Sequence, residues 1–320
     1  MEKKLTSFDI ARMAGVSQTS VSLVLRGKWK GRVGEETAER ILEVCDRYNY
    51  RVNFAASALK SGKSRNIALV VPDSENPFFS RILHSLRVKS IPKGYECMLV
   101  ETGSSSTWYD YLEGSLLGGE TAYAVSLYND LGSLSTAIEE NIISVADTKE
   151  TASSIIIDFK GAVEEAVSLF SEEGYESILF LRSINDPETS VRVRAFNDEC
   201  RKKDIRGEEI LVTGHIENDV LSLLSSREES IRQKTALLLG DDLYAKDTYH
   251  YAEERGLFIG KDIGIISLNN TYICDFLTPR LSSFGFDTEK LVSSIMEIIE
   301  KGERGRTVML EMHINGNRSF

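Results

Sequence analysis

The chain has 320 residues, 42% of them hydrophobic, and a formal net charge of −11 at pH 7. This length predicts two or three domains with a sizeable core. No apolar run reaches the ~18 residues that a membrane span requires, and the opening MEKKLTSFD lacks the apolar stretch of a signal peptide. The composition therefore argues against a membrane protein, and a cytoplasmic location with no membrane partner is expected.

The cysteines and histidines do not favour a metal centre. Cys45, Cys97, Cys200 and Cys274 are far apart and form no CxxC pair, and the chain has only four histidines. Isolated cysteines of this kind are typically buried, reduced thiols. We therefore expect neither a metal nor another cofactor.

Charge is distributed unevenly along the chain. Residues 1–65 contain 13 Lys and Arg against 7 Asp and Glu, a net charge of +6, which leaves −17 for residues 66–320. A basic head on an acidic body indicates a polyanionic partner at the head only. Lysines that merely solubilise a surface are the alternative explanation.

Three short amphipathic helices are predicted in the head. Thr6 or Ser7 caps the first, Ser17 caps the second, and Gly15 and Gly27 are their stop signals. The residues expected to face a common core are Ile10, Met13, Ala14, Val21, Val24, Leu25, Ile41, Val44, Cys45 and Tyr48. Because helices this short are unstable alone, the three must pack together.

Two helices joined by a short glycine-containing turn are typical of a helix-turn-helix, whose second helix enters the major groove of DNA. On that geometry Gln18 and Thr19 are expected to contact base edges, since Gln pairs with adenine and Thr offers a hydroxyl and a methyl group. The other head residues expected at the DNA, mostly through phosphates, are Ser7, Ser17, Ser20, Ser22, Lys28, Lys30 and Arg32. The head therefore predicts double-stranded DNA as a partner.

From Ile67 onward, short apolar runs alternate with amphipathic segments. The apolar runs are IALVVP, YECMLVE, AYAVSLY, IISVAD, SSIII, SILFL, TALLLG and IGIISL, and the helical segments include 78–91, 161–173, 243–255 and 287–301. This alternation predicts parallel sheets with both faces covered by helices. The number of strands indicates two lobes.

Ligands in such folds bind beyond the carboxyl ends of the strands. The residues that follow predicted strands are 73–79, Asp147, Asp241, Asp242, Asn269 and Asn270. A cleft rich in carboxylates and amides suits a ligand with hydroxyl or amine groups. For Asp73 and Asp147, capping of the next helix is the alternative role.

Two stretches resemble the lactose/galactose repressor (LacI/GalR) family of bacterial transcription regulators. LTSFDIARMAGVSQTSVSLVL resembles the family's head, and NFAASALKSGKSRNIALVVPDSENPFF resembles its hinge and first core strand. The resemblance continues more weakly to the end of the chain. It implies an all-α helix-turn-helix head and an α/β two-lobed core like that of periplasmic binding proteins.

This resemblance also implies domain boundaries. The head is expected at 1–51, the hinge helix or linker at 52–64, and the effector-binding and dimerisation core at 65–320. Within the core, the N-lobe is expected over about 65–158 and 287–304, and the C-lobe over about 159–285 and 305–320, with crossings near 158–161, 284–288 and 303–307.

The hinge from Asn53 to Ser61 is too short to form a stable helix in water and is expected to order on DNA. In the resembling family this segment enters the minor groove as a pair. Leu59 matches the leucine that wedges a base step, and Ala56 matches the small residue beside its mate. A flexible linker is the alternative.

Within the cleft, the resemblance implies a set of effector contacts. Arg194 in SVRVRAF, Asp147 and Asp242 match contact positions, and His215 matches an aromatic contact position. The full expected set is Ser74, Asn76, Phe79, Asp147, Arg194, His215, Asp242, Asn269 and Phe286.

Several positions depart from the family pattern. Leu23 stands where a basic residue is common, Val52 where proline is usual, and Gly34 where a serine usually caps the third helix. The operator sequence is therefore not transferable from a relative. Residues 103–153 differ most, which leaves the usual sugar effector an open question.

The leading interpretation is a homodimeric repressor that binds a pseudo-palindromic operator under the control of a small polar ligand. An effector-independent regulator with a degenerate pocket is the alternative. An enzyme is disfavoured because the chain has no P-loop, GxSxG or HExxH motif. A free-standing solute-binding protein would have a signal peptide and no helix-turn-helix.

Overall fold

A computed structural model describes residues 5–25, 27, 29–50, 64–103, 107–127, 135, 137–149, 151–183, 188–213, 219–227, 231, 234–316 and 319–320. Within these residues the chain forms a three-helix head and two six-stranded sheets flanked by helices. Five residues expected at a binding site lie outside this part of the chain: Lys28, Asn53, Ala56, Leu59 and His215.

Helix α1 (Ser7–Ala14) starts at a reciprocal cap. The Thr6 hydroxyl accepts a hydrogen bond from the backbone N–H of Asp9, and the Asp9 carboxylate accepts one from the backbone N–H of Thr6. The helix ends at Gly15, whose φ of 66° lies in the left-handed region that glycine tolerates. The predicted cap at Thr6 and the glycine stop are both confirmed.

Helices α2 (Gln18–Leu25) and α3 (Glu35–Arg47) start differently. The Ser17 hydroxyl accepts a hydrogen bond from the backbone N–H of Ser20 and so caps α2. Gly34 precedes α3 and has no side chain with which to cap it. Two glutamates in the first turn of α3 interact favourably with the helix dipole instead.

The head has its own hydrophobic core, formed by Ile10, Ala11, Ala14, Val21, Val24, Ala38, Ile41 and Cys45. Met13 and Tyr48, expected in this core from helical spacing, are 39% and 48% exposed. Met13 lies outside the arc that Ile10, Ala11 and Ala14 bury, and Tyr48 follows the last turn of α3.

The N-lobe is built on a parallel sheet. Its strands are β1 (Asn66–Val71), β2 (Glu96–Glu101), β3 (Tyr123–Ser126), β4 (Ile142–Ala146), β5 (Ser153–Ile157) and β11 (Thr307–Leu310). They lie in the order β11-β5-β4-β3-β1-β2. Its helices are α4 (Pro77–Ser90), α5 (Thr107–Leu117) and α11 (Thr288–Lys301), and α4 packs against α11.

The C-lobe is built on the second sheet. Its strands are β6 (Ser177–Ser183), β7 (Arg206–Val212), β8 (Thr235–Leu239), β9 (Ile263–Ser267), β10 (Ser282–Gly285) and β12 (His313–Asn315). They lie in the order β12-β10-β9-β8-β6-β7, and all neighbours are parallel except β10 and β12. The remaining helices are α6 (Phe159–Glu172), α7 (Val191–Lys202), α8 (Asp219–Ser225), α9 (Ala245–Glu254) and α10 (Ile273–Phe276).

The described strands pass from one sheet to the other between β5 and β6, between β10 and β11, and between β11 and β12. The last crossing follows Leu310 instead of lying over 303–307, because β11 pairs with β5 in the first sheet, Met309 opposite Ile156. Residues 307–310, expected in the C-lobe, therefore belong to the N-lobe.

How deeply a strand is buried determines whether its sequence pattern identifies it as a strand. β4, β8 and β9 are buried at every position, as expected for parallel strands covered on both faces. The edge strand β7, RGEEILV, is partly exposed and lacks a continuous apolar run, so the sequence pattern does not reveal it. Among the described helices, none is long and apolar enough to cross a membrane.

Candidate functional site

The outer face of α2 is polar. Gln18 and Thr19, in its first turn, are exposed, whereas Val21 and Val24 face the core of the head. The N-terminal turn of the second helix is the part of a helix-turn-helix that meets base edges. Both side chains are therefore accessible to a DNA major groove.

The amide of Gln18 is engaged within the head. Its Nε2 donates a hydrogen bond to the Ser7 hydroxyl at 2.7 Å. Burial raises the pKa of the nearby Tyr50 phenol above its ordinary value, and Ser7 acts in the opposite direction. Ser7, expected at a DNA phosphate, is thus tied to the recognition helix.

The other described polar residues of the head lie at its surface. The hydroxyl of Ser17 lies 2.9 Å from that of Ser20. Ser22 is half-buried, and Lys30 and Arg32 are exposed in the segment between α2 and α3. Exposed cations beside a recognition helix are suited to phosphate contacts.

Asn76 and Asp241 join the two lobes. Asn76 caps α4 through its Oδ1, which accepts from the backbone N–H of Phe78, and its Nδ2 donates to Asp241 Oδ2 at 2.7 Å. Asp241 follows β8, and its other oxygen accepts from the backbone N–H of Leu243 at 2.9 Å. Burial raises the pKa of Asp241 to about 6, although both of these hydrogen bonds act to lower it.

Arg192 and Asp147 also join the lobes. Nε of Arg192, on α7, lies 3.4 Å from Oδ2 of Asp147, which follows β4, and the two side chains are 15% and 7% exposed. The guanidinium lies 3.5 Å from the ring centroid of Phe159. Arg194 is exposed, because two residues along an α-helix turn a side chain by about 200°. Arg192, and not the expected Arg194, faces the cleft.

Arg81 of α4 reaches across to the C-lobe as well. Its guanidinium donates to the backbone carbonyl of Asn270 at 2.8 Å and to that of Asn269 at 3.3 Å. It lies 5.9 Å from the ring centroid of Phe286, and burial lowers its pKa. Sequence reasoning missed Arg81 because an arginine inside an amphipathic helix carries no strand-end signal.

Asp242, expected to contact an effector, is completely buried within its own lobe. Its carboxylate accepts hydrogen bonds from Ser267 Oγ at 2.6 Å, Ser283 Oγ at 3.1 Å, the Thr271 N–H at 2.5 Å and Cys274 Sγ at 3.3 Å. Burial raises the pKa of Cys274 to about 12, so this thiol remains a donor. Asp242 therefore holds the segments after β9 and at β10, while Asp241 faces the other lobe.

The remaining expected residues surround these contacts. Phe79 and Phe286 each pack edge-to-face with Phe78, at centroid distances of 5.1 and 5.9 Å. Ser74 is bound within the N-lobe, where its backbone N–H donates to the carboxylate of Glu101 at 3.0 Å. The side chain of Asn269 is 5% exposed. The cleft thus combines charged and amide groups with aromatic faces.

Two family models match the chain. Residues 8–53 match the model of bacterial regulatory proteins of the lacI family, and residues 167–309 match the model of the periplasmic binding protein-like domain. The two matches fall on the helix-turn-helix head and on the two-lobed body.

Relatives and solved structures agree with these matches. Catabolite control protein A of Priestia megaterium is 23% identical over 291 residues, covering 87% of this chain and 86% of that protein. The repressor PurR of Photobacterium profundum is 25% identical over 312 residues, covering 91% and 90%. The fold is similar to a crystal structure of the Lac repressor dimer bound to operator and the anti-inducer ONPF, with a TM-score of 0.79, 19% identity and 99% of both chains covered.

A helix-turn-helix head joined to a two-lobed body of the periplasmic-binding-protein type defines a class of DNA-binding transcription regulators. The head of this chain, residues 8–53, matches the lacI family of bacterial regulatory proteins, and catabolite control protein A is similar over 87% of the chain. The chain is a transcriptional repressor with a ligand-binding type of body, and the relatives named above are transcription regulators, not enzymes.

Proposed function

We propose that the chain binds a pseudo-palindromic operator as a homodimer, and that a small polar ligand held between the lobes controls this binding. The supporting observation is that side chains of the two lobes, Asn76 with Asp241 and Arg192 with Asp147, meet directly across the cleft. A group that binds between them would change how the lobes are held.

On the DNA side, Gln18 and Thr19 read base edges in the major groove. The residues that contact the DNA backbone are Ser17, Ser20, Ser22, Lys28, Lys30 and Arg32, and those of the hinge that enter the minor groove are Asn53, Ala56 and Leu59. One small head reads few base pairs, so two copies on two half-sites supply the specificity. The site of action is the cytoplasm, where bacterial DNA lies.

On the ligand side, Arg192 and Asp241 take the roles that sequence reasoning gave to Arg194 and Asp242. Together with Asp147 and Asn76 they offer donors and acceptors at the edge of an aromatic surface that includes Phe79. This combination suits a polyhydroxylated molecule, whose hydroxyls both donate and accept while its carbon face packs on rings. His215 and Asn269 remain further candidates, and no catalytic step is needed.

The ligand would control DNA binding because its contacts with the lobes compete with the direct contacts between the lobes. The lobes are held together by direct hydrogen bonds, and a ligand shifts the balance between closed and open lobes only by its difference in affinity for them. These direct contacts would also serve an effector-independent regulator. The match of the body to the periplasmic binding protein-like domain favours ligand control.

Coupling between the cleft and the DNA can be tested without knowing the ligand. Operator binding is measured by fluorescence anisotropy for the wild type, Asn76→Ala and Arg192→Ala, with Arg194→Ala as the matched control. We expect Asn76→Ala and Arg192→Ala to change the operator Kd at least about threefold, because a contact worth about 1 kcal/mol holds the lobes, while Arg194→Ala does not. An operator Kd that is equal in all four proteins contradicts the coupling.

A further inference from the structure

Gln18 is held by a residue of another helix. Ser7 is the first residue of α1 and Gln18 the first residue of α2. The 2.7 Å hydrogen bond from Gln18 Nε2 to Ser7 Oγ therefore joins the starts of the two helices of the helix-turn-helix. A side chain at a DNA-facing position is thus oriented before any DNA is bound.

Tyr50 lies just after the third helix. Its backbone N–H donates to the carbonyl of Cys45 at 2.8 Å, which fixes its position after the end of α3. Its ring packs against the core of the head, and its phenol is near enough to Ser7 for that hydroxyl to influence the pKa of the phenol. Tyr50 therefore lies beside the contact that joins Ser7 and Gln18.

The bond to Ser7 decides what Gln18 can offer to a base. A primary amide carries two N–H donors and one carbonyl oxygen. Ser7 takes one N–H, which leaves one donor and the oxygen for DNA. Adenine requires this pair, since its major-groove edge carries the N7 acceptor and the N6 donor. Without the bond to Ser7, the Gln18 amide can rotate and present only its two N–H donors, an arrangement that suits guanine.

We propose that Ser7 is a positioning residue that orients the Gln18 amide and restricts the base read by Gln18 to adenine. This inference rests on the proposed reading role of Gln18. Tethering also reduces the side-chain entropy that Gln18 loses on binding, so it strengthens the correct contact as well as excluding others.

The test is a double-mutant cycle on the full-length chain. Operators carrying each of the four base pairs at the position governed by Gln18 are titrated at fixed salt with the wild type, Ser7→Ala, Gln18→Ala and the double variant. We expect Ser7→Ala to reduce the preference for adenine by about 2- to 10-fold, the range for one lost hydrogen bond. Its affinity for random DNA should stay unchanged, and in the Gln18→Ala background it should have no further effect.

Two other results overturn the inference and are distinguishable. If Ser7→Ala weakens binding to every duplex alike, also in the Gln18→Ala background, Ser7 contacts the DNA backbone directly. If Gln18→Ala itself leaves base preference unchanged, the reading role of Gln18 fails and the inference falls with it.

Conservative variants distinguish a loss of Gln18 orientation from a loss of folding. Ser7→Thr keeps the hydroxyl and should retain the adenine preference. Tyr50→Phe keeps the ring in the core but removes the phenol oxygen near Ser7, and should reduce the preference less than Ser7→Ala does, in the same sense. Tyr48→Phe, at an exposed position on the same turn, is the matched control and should leave it unchanged. Thermal unfolding confirms that each variant is folded.

Discussion

Asn76 and Asp241 lie on different lobes, and a single 2.7 Å hydrogen bond joins their side chains. Each also caps the start of a helical segment in its own lobe. Asn76 caps α4, and Asp241 caps the short helical turn Asp242–Tyr244. The bond therefore links the start of a helix in one lobe to the start of a helical turn in the other.

The raised pKa of Asp241 predicts a pH-dependent stability. Its folded pKa of about 6 exceeds the ordinary 3.8, so between these values the folded state holds the proton more tightly than the unfolded state. Stability should therefore fall as pH rises from about 4 to 6. Asp241→Asn has no charge to bury and should be more stable than wild type above pH 6, by at most about 3 kcal/mol.

This prediction is checked by thermal unfolding of both proteins between pH 4.5 and 7.5. The difference in Tm should be small at the acidic end and should grow with pH. Asp275→Asn, at an exposed ion pair with Arg280, is the control. Parallel curves for wild type and Asp241→Asn would contradict the burial of a charged carboxylate in the cleft.

Arg192 and Arg194 should behave differently although they are two residues apart. Arg192→Ala leaves the nearly buried Asp147 without its partner and should lower the free energy of unfolding by about 3 kcal/mol. Arg194→Ala removes an exposed side chain and should change it by less than about 0.5 kcal/mol. Urea unfolding measures both, and equal losses would show that the assignment of Arg192 to the cleft is mistaken.

Asp242 should contribute to stability more than to ligand binding. Asp242→Ala leaves the hydroxyls of Ser267 and Ser283 and the N–H of Thr271 without their acceptor, and should cost about 3 kcal/mol or more. The exposed Asp275→Ala should cost less than about 1 kcal/mol. A stable Asp242→Ala protein that has lost only its ligand response would restore the effector role expected from the sequence.

Substitutions of Gln18 and Lys30 should distinguish contacts with DNA bases from contacts with the DNA backbone. Gln18→Ala should cost ~1 to 3 kcal/mol on the cognate operator and little on random DNA. Lys30→Ala should weaken both alike and reduce the slope of log K against log salt by about 1. Anisotropy titrations at several salt concentrations decide this, and equal losses for Gln18→Ala on both duplexes would remove its reading role.

The sequence predicted the helices and buried strands well because they carry local signals. Thr6 and Gly15 mark the ends of α1, and the largely apolar, fully buried runs of β4, β8 and β9 mark parallel strands. These features depend on residues that are close together in the sequence.

The side chains of the cleft depend on distant neighbours and were predicted less well. Whether Arg192 or Arg194 faces the cleft depends on how α7 is rotated against the C-lobe sheet. Asp241 and Asp242 are adjacent after one strand, and only the serines and Cys274 from later segments decide which is buried. The bond between Ser7 and Gln18 joins two helices and has no sequence signature.

Sequence-specific DNA binding by the head is tested most directly by selecting bound duplexes from a random pool with the wild-type chain and with Gln18→Ala. The wild type should enrich one pseudo-palindromic motif with an adenine in each half-site, and Gln18→Ala should lose the preference at that adenine. Recovery of unenriched, random sequences by the wild-type chain would contradict sequence-specific binding by the head.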